Sequence, residues 1–196
     1  MAGAGNGADH LIAVTLGTGV GGGIIANGEV INGANGTAAE IGHMTVVPEG
    51  GVRCNCGKTG CLETETSATA IVRKVKEAAS QYPSSSLRPL VKDGSLTTKE
   101  VFEAKEKGDE LAELVINEVV HTLGLWIANL AVALNPQKIV IGGGVSQAGD
   151  QLMSPLIQVF NKYALGRTSE VCEFGLAELG NDAGVIGAAF LVKKYQ

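Results

Sequence analysis

Three cysteines within eight residues, preceded by a histidine, are the side chains best suited to chemistry in this sequence. Cys54-x-Cys56-x4-Cys61 lies in a turn-rich stretch where Gly57 and Gly60 let the backbone double back. His43 stands before it across a segment holding Pro48, Gly50 and Gly51. Three thiolates and one imidazole are the donor set that Zn²⁺ takes in tetrahedral array, and a closed four-ligand shell is structural rather than catalytic. The competing readings are a redox or disulfide pair and plain buried thiols. A lone histidine is a weak candidate ligand, and it is the neighbouring cluster that promotes His43. Cys172 stands apart in an apolar run and reads as a buried strand residue.

Glycines are the next chemical signal. The 28 glycines cluster instead of repeating, which points to loops shaped by backbone. Gly17-Thr18-Gly19-Val20-Gly21-Gly22-Gly23 formally contains G-x-G-x-x-G, but a dinucleotide site needs a helix to begin there. Residues 24–31 read as extended instead, and no Gly-Lys-Ser/Thr follows to make a Walker loop. What remains is a strand-to-strand turn with a hydroxyl, Thr18, at its tip and backbone N–H groups suited to an anion. Five glycines exceed the one or two a hairpin turn requires, which favours phosphate binding. Ile141-Gly142-Gly143-Gly144-Val145-Ser146 is a second such loop, between strand and helix, flat enough to lie against a base or a phosphate.

The elements that position these loops follow from apolar periodicity. Strands are expected at 11–16, in two pieces around the Asn27-Gly28 turn, at 44–47, at 138–141 and at 171–179. A helix carries Ala68, Ile71, Val72, Val75 and Ala78 on one face. Residues 81–89 read as a surface loop and 98–107 as a charged helix. A long helix from about Asp109 to Leu134 follows, its second half apolar all round and so expected to be buried. Another helix presents Leu152, Leu156, Ile157, Phe160 and Tyr163. The last, capped by Asn181 or Asp182, presents Val185, Ile186, Ala189 and Phe190. Strands followed by helices, with an early hairpin, predict an α/β fold with a mixed sheet covered by helices.

Composition narrows the function classes. Hydrophobic residues make up 45% of the 196 and charged ones 18%, which argues for a packed core over disorder. A net charge of −5, no basic stripe and 4% aromatics argue against nucleic acid as a partner. The first residues lack a signal-peptide pattern, and 123–134 is too short to cross a bilayer, so no membrane partner and a reducing, cytoplasmic setting are expected.

Taken in order, Leu16–Gly23, Glu40-Ile41-Gly42-His43, Cys54-Asn55-Cys56-Gly57-Lys58-Thr59-Gly60-Cys61-Leu62-Glu63 and Ile141–Val145 resemble the ROK family (repressors, open reading frames, kinases), with bacterial glucokinases nearest in pattern. The resemblance spans nearly the whole chain. It implies an actin/hexokinase-like (ribonuclease H-like) fold in which two related domains close over ATP and a sugar, with residues 1–196 as the C-terminal domain. Within it, residues 16–23 correspond to a second phosphate loop, 36–65 to a sugar and zinc segment, and 141–146 to an adenosine loop. Glu40, His43 and Glu63 are implied as sugar contacts, and His43, Cys54, Cys56 and Cys61 as ligands of a structural zinc. Gly17, Thr18 and Gly19 are implied at the phosphates, and Gly142, Gly143 and Gly144 at the adenosine, with Mg·ATP as co-substrate. The implied activity is transfer of the γ-phosphoryl group to the 6-hydroxyl of glucose, in a protein that commonly dimerises.

Family members also carry an Asp-x-Gly-x-Thr loop and an aspartate that takes the sugar proton, both ahead of the stretch matching Leu16–Gly23. Neither is found here, and Asp9 lacks the Asn-Asp-x-x-Asn surroundings. No catalytic residue is therefore assigned within the chain, the base being expected upstream of Met1, and the chain alone is expected to be inactive. Two further readings are a sugar-sensing module of a ROK repressor, whose phosphate loops are commonly degraded, and a zinc-bearing dimerisation scaffold.

Overall fold

The computed structural model describes residues 3–194. Strands β1 (Leu11–Leu16), β2 (Val20–Ala26), β3 (Glu29–Val30), β4 (Lys138–Gly142) and β5 (Glu173–Leu176) form one sheet in the order β3-β2-β1-β4-β5. β1, β4 and β5 run parallel, and β2 and β3 are antiparallel additions. The β2–β3 connection is the expected Asn-Gly turn, with Asn27 and Gly28 at φ 52° and 74°, the positive values a two-residue hairpin demands.

The helices are α1 (Leu62–Thr66), α2 (Ala68–Ala78), α3 (Arg88–Asp93), α4 (Thr98–Glu106), α5 (Glu110–Leu134), α6 (Asp150–Tyr163), α7 (Gly166–Ser169) and α8 (Ala183–Lys194). The strand pleat sends Ile12, Val14, Leu16, Ile139 and Ile141 into the main core with the α2, α5 and α6 side chains. On the opposite face Leu11 and Val140 meet only Ala8 and a few partly buried neighbours. Helices α2, α5 and α6 cover the first of these faces. α5 is the spine of that layer, packing against α1, α2, α4 and α6. It is long and apolar enough to cross a membrane by length and composition, and this central packing accounts for the apolarity.

Several expectations need correction. Residues 44–47 form no strand, only a Thr45–Cys61 bridge, because the segment serves the cysteine loop. Residues 171–179 contain a strand of four residues only, and Cys172 lies just before it, half-buried. The 81–89 loop ends in α3, which starts at Arg88 with Pro89 in its first turn, where a missing N–H costs nothing. The second half of α5 is not buried all round, since Val132 is 51% exposed. Gly21, Gly22 and Gly23 lie within β2, not in a loop. A Cβ on Gly22 would sit 2.4 Å from Ile41, so that glycine is there for packing. The apolar face expected to bury α8 is exposed, with Val185 at 74% and Phe190 at 48%. Asp182 ends the turn leading into α8, and the side chain of Asn181 lies outside the described ones.

Candidate metal and substrate site

Both glycine loops sit at the carboxyl ends of the parallel strands β1 and β4, where open α/β sheets take ligands. Gly143 has φ 85°, and a Cβ there would lie 2.4 Å from the Leu16 carbonyl oxygen. A glycine is thus required for the second loop to touch the root of the first. Asp9 lies at the other end of β1, where its N–H donates to Gln137.

The turn between β1 and β2 is held from behind by the 63–69 segment. Gly17 N–H donates to the Gly19 carbonyl, and the Gly17 carbonyl accepts from Ala68 N–H at 2.8 Å. The Thr18 carbonyl accepts from the Thr69 hydroxyl at 2.9 Å. Val20 N–H donates to Glu63 Oε2 at 3.0 Å. Gly17 N–H and Val20 N–H are thus engaged within the protein, so fewer N–H groups are left for an anion than five glycines implied. Ala68 and Thr69 were not foreseen. The sequence clue was Ser67, whose side chain caps α2 by accepting from Ala70 N–H and so fixes that helix start against the turn.

His43, Cys54, Cys56 and Cys61 converge, with all four potential ligand atoms within 4.8 Å of one another. His43 Nδ1 is 3.5 Å from Cys54 Sγ, and Cys56 Sγ is 3.6 Å from Cys61 Sγ. Around one zinc, bond lengths of about 2.3 Å to sulfur and about 2.0 Å to nitrogen give tetrahedral edges of roughly 3.5–3.8 Å. The donor set and its spacing therefore fit the ion. The loop is braced by an Arg53–Thr59 bridge and by Lys58 Nζ, which donates to the His43 carbonyl at 2.6 Å. Burial pushes the Cys61 thiol up to about 12, with Cys56 and Cys54 beside it adding to the effect. The Lys58 backbone N–H holds Cys56 below the ordinary thiol value. A metal entering this site displaces a tightly held proton, so its affinity rises with pH.

Of the three carboxylate and imidazole groups implied at the sugar, two lie side by side. Glu40 is 64% exposed, with Oε2 at 3.9 Å from His43 Nε2. The imidazole thus turns Nδ1 to the thiols and Nε2 to Glu40. Glu63 lies behind them, half-buried, one oxygen on Val20 N–H and the other 3.8 Å from Cys54 Sγ. A cleft of about 250 Å³ runs past Glu63 and Thr18 and is lined also by Arg53 and Asn55. A second, of about 290 Å³, lies between Phe102 of α4 and the Gly144–Ala148 turn. Gln151, which helps line it, has a side-chain oxygen that is buried without a partner. Composition gave no signal for Arg53, Asn55 or Gln151.

The sheet order, helical cover and cysteine loop define an actin/hexokinase-like domain. A ROK family model matches residues 1–195, and the chain belongs to that family. It is 55% identical over 195 residues to a glucokinase of Halalkalibacterium halodurans, covering 99% of this chain and 59% of that protein. The structure of a ROK family glucokinase from Streptomyces griseus, in complex with glucose and AMPPNP, superposes with a TM-score of 0.84 at 36% identity, covering 96% of this chain and 62% of the other. A ROK family transcriptional regulator, homologous to the E. coli MLC protein, superposes at 0.75 with 30% identity, over 87% and 42%. The chain thus spans about three-fifths of the length of the kinases it matches.

Proposed function

We propose that this chain forms the sugar wall and the nucleotide-side loops of an ATP-dependent hexokinase of glucokinase type. The observation that carries the reading is the two-sided histidine: one imidazole joins a metal-ligand cluster to a carboxylate beside a glycine turn. His43, Cys54, Cys56 and Cys61 would hold zinc, which supplies rigidity and no chemistry at the phosphorus. Glu40, Glu63 and the outer face of His43 would then accept and donate hydrogen bonds to sugar hydroxyls, an arrangement that rejects analogues lacking one. Thr18 and the Thr18 and Gly19 N–H groups would hold terminal phosphates of Mg·ATP, and the Gly142–Gly144 loop would border the adenosine. Glucose is the sugar proposed and its 6-hydroxyl the acceptor, in a cytoplasmic homodimer.

Phosphoryl transfer rests on positioning and charge stabilisation, and a positioned base adds about 10²–10⁴ in rate. In the family pattern that base belongs to the part of the kinases that this chain does not span. We expect glucose-dependent ATP turnover to be negligible for the chain alone and to appear when the complementary part of a ROK kinase is joined to it.

Titration calorimetry with glucose tests the sugar site, alongside metal analysis. Glu40→Ala is expected to abolish glucose binding and leave one zinc per chain. Loss of zinc in that variant would place Glu40 in the metal shell and sink its assignment to the sugar. The regulator-like structure favours a second reading, a sugar-sensing module. Sugar binding with no affinity for ATP analogues in the joined protein would support it.

A further inference from the structure

We infer that Cys56 and Cys61 form an oxidisable pair, which a peroxide closes to a disulfide with loss of the metal. The two sulfurs lie 3.6 Å apart, a gap that rotation of the Cys56 side chain can close toward the roughly 2.05 Å of an S–S bond. Cys54 is engaged elsewhere, its sulfur 3.5 Å from His43 Nδ1 and 3.8 Å from a Glu63 oxygen. Of the cluster's three thiols only Cys56 is exposed, while Cys54 is 4% and Cys61 0% exposed. An oxidant arriving from solvent therefore meets Cys56 first, with Cys61 directly behind it.

Cys61 keeps its place whether or not an ion is bound. Leu62 beside it is fully buried, the Leu62 N–H donates to the Met44 carbonyl at 2.8 Å, and a Thr45–Cys61 bridge ties the same strip. Cys56 is tethered to it through four residues, among them Gly57 and Gly60 at φ 93° and 68°. So short a tether keeps the two sulfurs at high effective concentration. The chemistry takes two steps. The Cys56 thiolate attacks hydrogen peroxide: an S–O bond forms, the O–O bond breaks, and hydroxide leaves, giving the sulfenic acid. The Cys61 thiolate then attacks the Cys56 sulfur: the S–S bond forms, the S–O bond breaks, and a second hydroxide leaves. The sulfurs lose two electrons, and the peroxide ends as two waters once solvent protonates both hydroxides. Two of four ligands are then gone, so an ion left with His43 and Cys54 departs. The inference shares its cysteines with the proposed metal site, but the pair itself needs no ion.

Hydrogen peroxide added to the zinc-loaded chain is the test, with released zinc followed by a chromogenic chelator and the product mapped by mass spectrometry without reduction. The expected result is loss of the bound zinc, a mass lower by two hydrogens, and a cross-linked peptide joining Cys56 to Cys61. Dithiothreitol with added zinc should restore both thiols and metal. Cys172→Ser should behave as wild type, and the zinc-free chain should form the same disulfide. A chain that takes up no zinc yet forms this disulfide upholds the pair and removes the metal site. Zinc that survives the peroxide, Cys56 carried to sulfinic acid with Cys61 still free, or a disulfide involving Cys54 overturns the inference and leaves the metal site standing.

Discussion

Glu63 shows how one carboxylate can be committed before any substrate arrives. Its hydrogen bond to Val20 N–H and its contact with Cys54 Sγ occupy the side of the group that faces the protein. Glu40, largely in water, carries no such commitment. The two glutamates, both implied at the sugar by the family pattern, therefore differ in setting: Glu63 also holds the turn through Val20, and Glu40 does not. Asp109 is a third carboxylate with a defined task. It caps α5 by accepting from the Leu111 and Ala112 N–H groups, and takes further hydrogen bonds from Ser85 and Ser86. Burial raises its pKa, but these donors outweigh burial and hold it below the usual value. Its stabilising effect is complete above the unfolded-state value of about 3.9 and vanishes as pH falls through the lower folded value. Urea denaturation of Asp109→Ala should show a loss of about 0.5–2 kcal/mol at neutral pH. The difference from wild type should shrink as the pH falls below 4, and a constant difference would show that capping charge is not the cause.

Among the elements, those legible in the sequence were those with a strong period or an unmistakable stop. β1, α2, α4, α5 and α6 match the apolar pattern closely, and Asn135, at φ 45°, ends α5 where Asn-Pro predicted. The 44–47 strand was misread because alternation cannot tell a strand from a segment drawn into a metal loop. The four residues that converge on one candidate metal site, His43, Cys54, Cys56 and Cys61, were readable because their chemistry is in the residue types. The hydrogen bond from Val20 N–H to Glu63 was not, because a contact between residues 43 positions apart leaves no local trace. Gly124 is a further hidden constraint: a Cβ there would lie 2.7 Å from Val159, so this glycine sets how closely α5 meets α6. Gly124→Val should lower stability by about 1–3 kcal/mol through overpacking, despite leaving the helix intact. Thermal unfolding followed by circular dichroism checks this, and an unchanged midpoint would show that α6 yields freely.

At the scale of the whole molecule, the site is assembled from residues 16–20, 40–43, 54–69 and 142–146 around the ends of two strands. The core beneath is continuous, so Ile127→Ala, at a fully buried position of α5, should cost about 2–5 kcal/mol wherever the metal stands. Zinc removal should instead lower the melting point while leaving the amides of β4 protected at room temperature. On α8, Val185, Ile186, Phe190 and Val192 are exposed. The loop between His43 and Cys61 carries Arg53 and Lys58, both exposed, and both are bonds a trypsin-like protease recognises. Held at its two ends by one ion, that loop is too short and too tightly turned to enter a protease cleft in extended form. Released, it becomes open to cleavage at those two bonds. Metal status in a preparation, or in a cell extract, should therefore be readable from a gel: one intact band when loaded, two fragments divided near residue 53 or 58 when stripped.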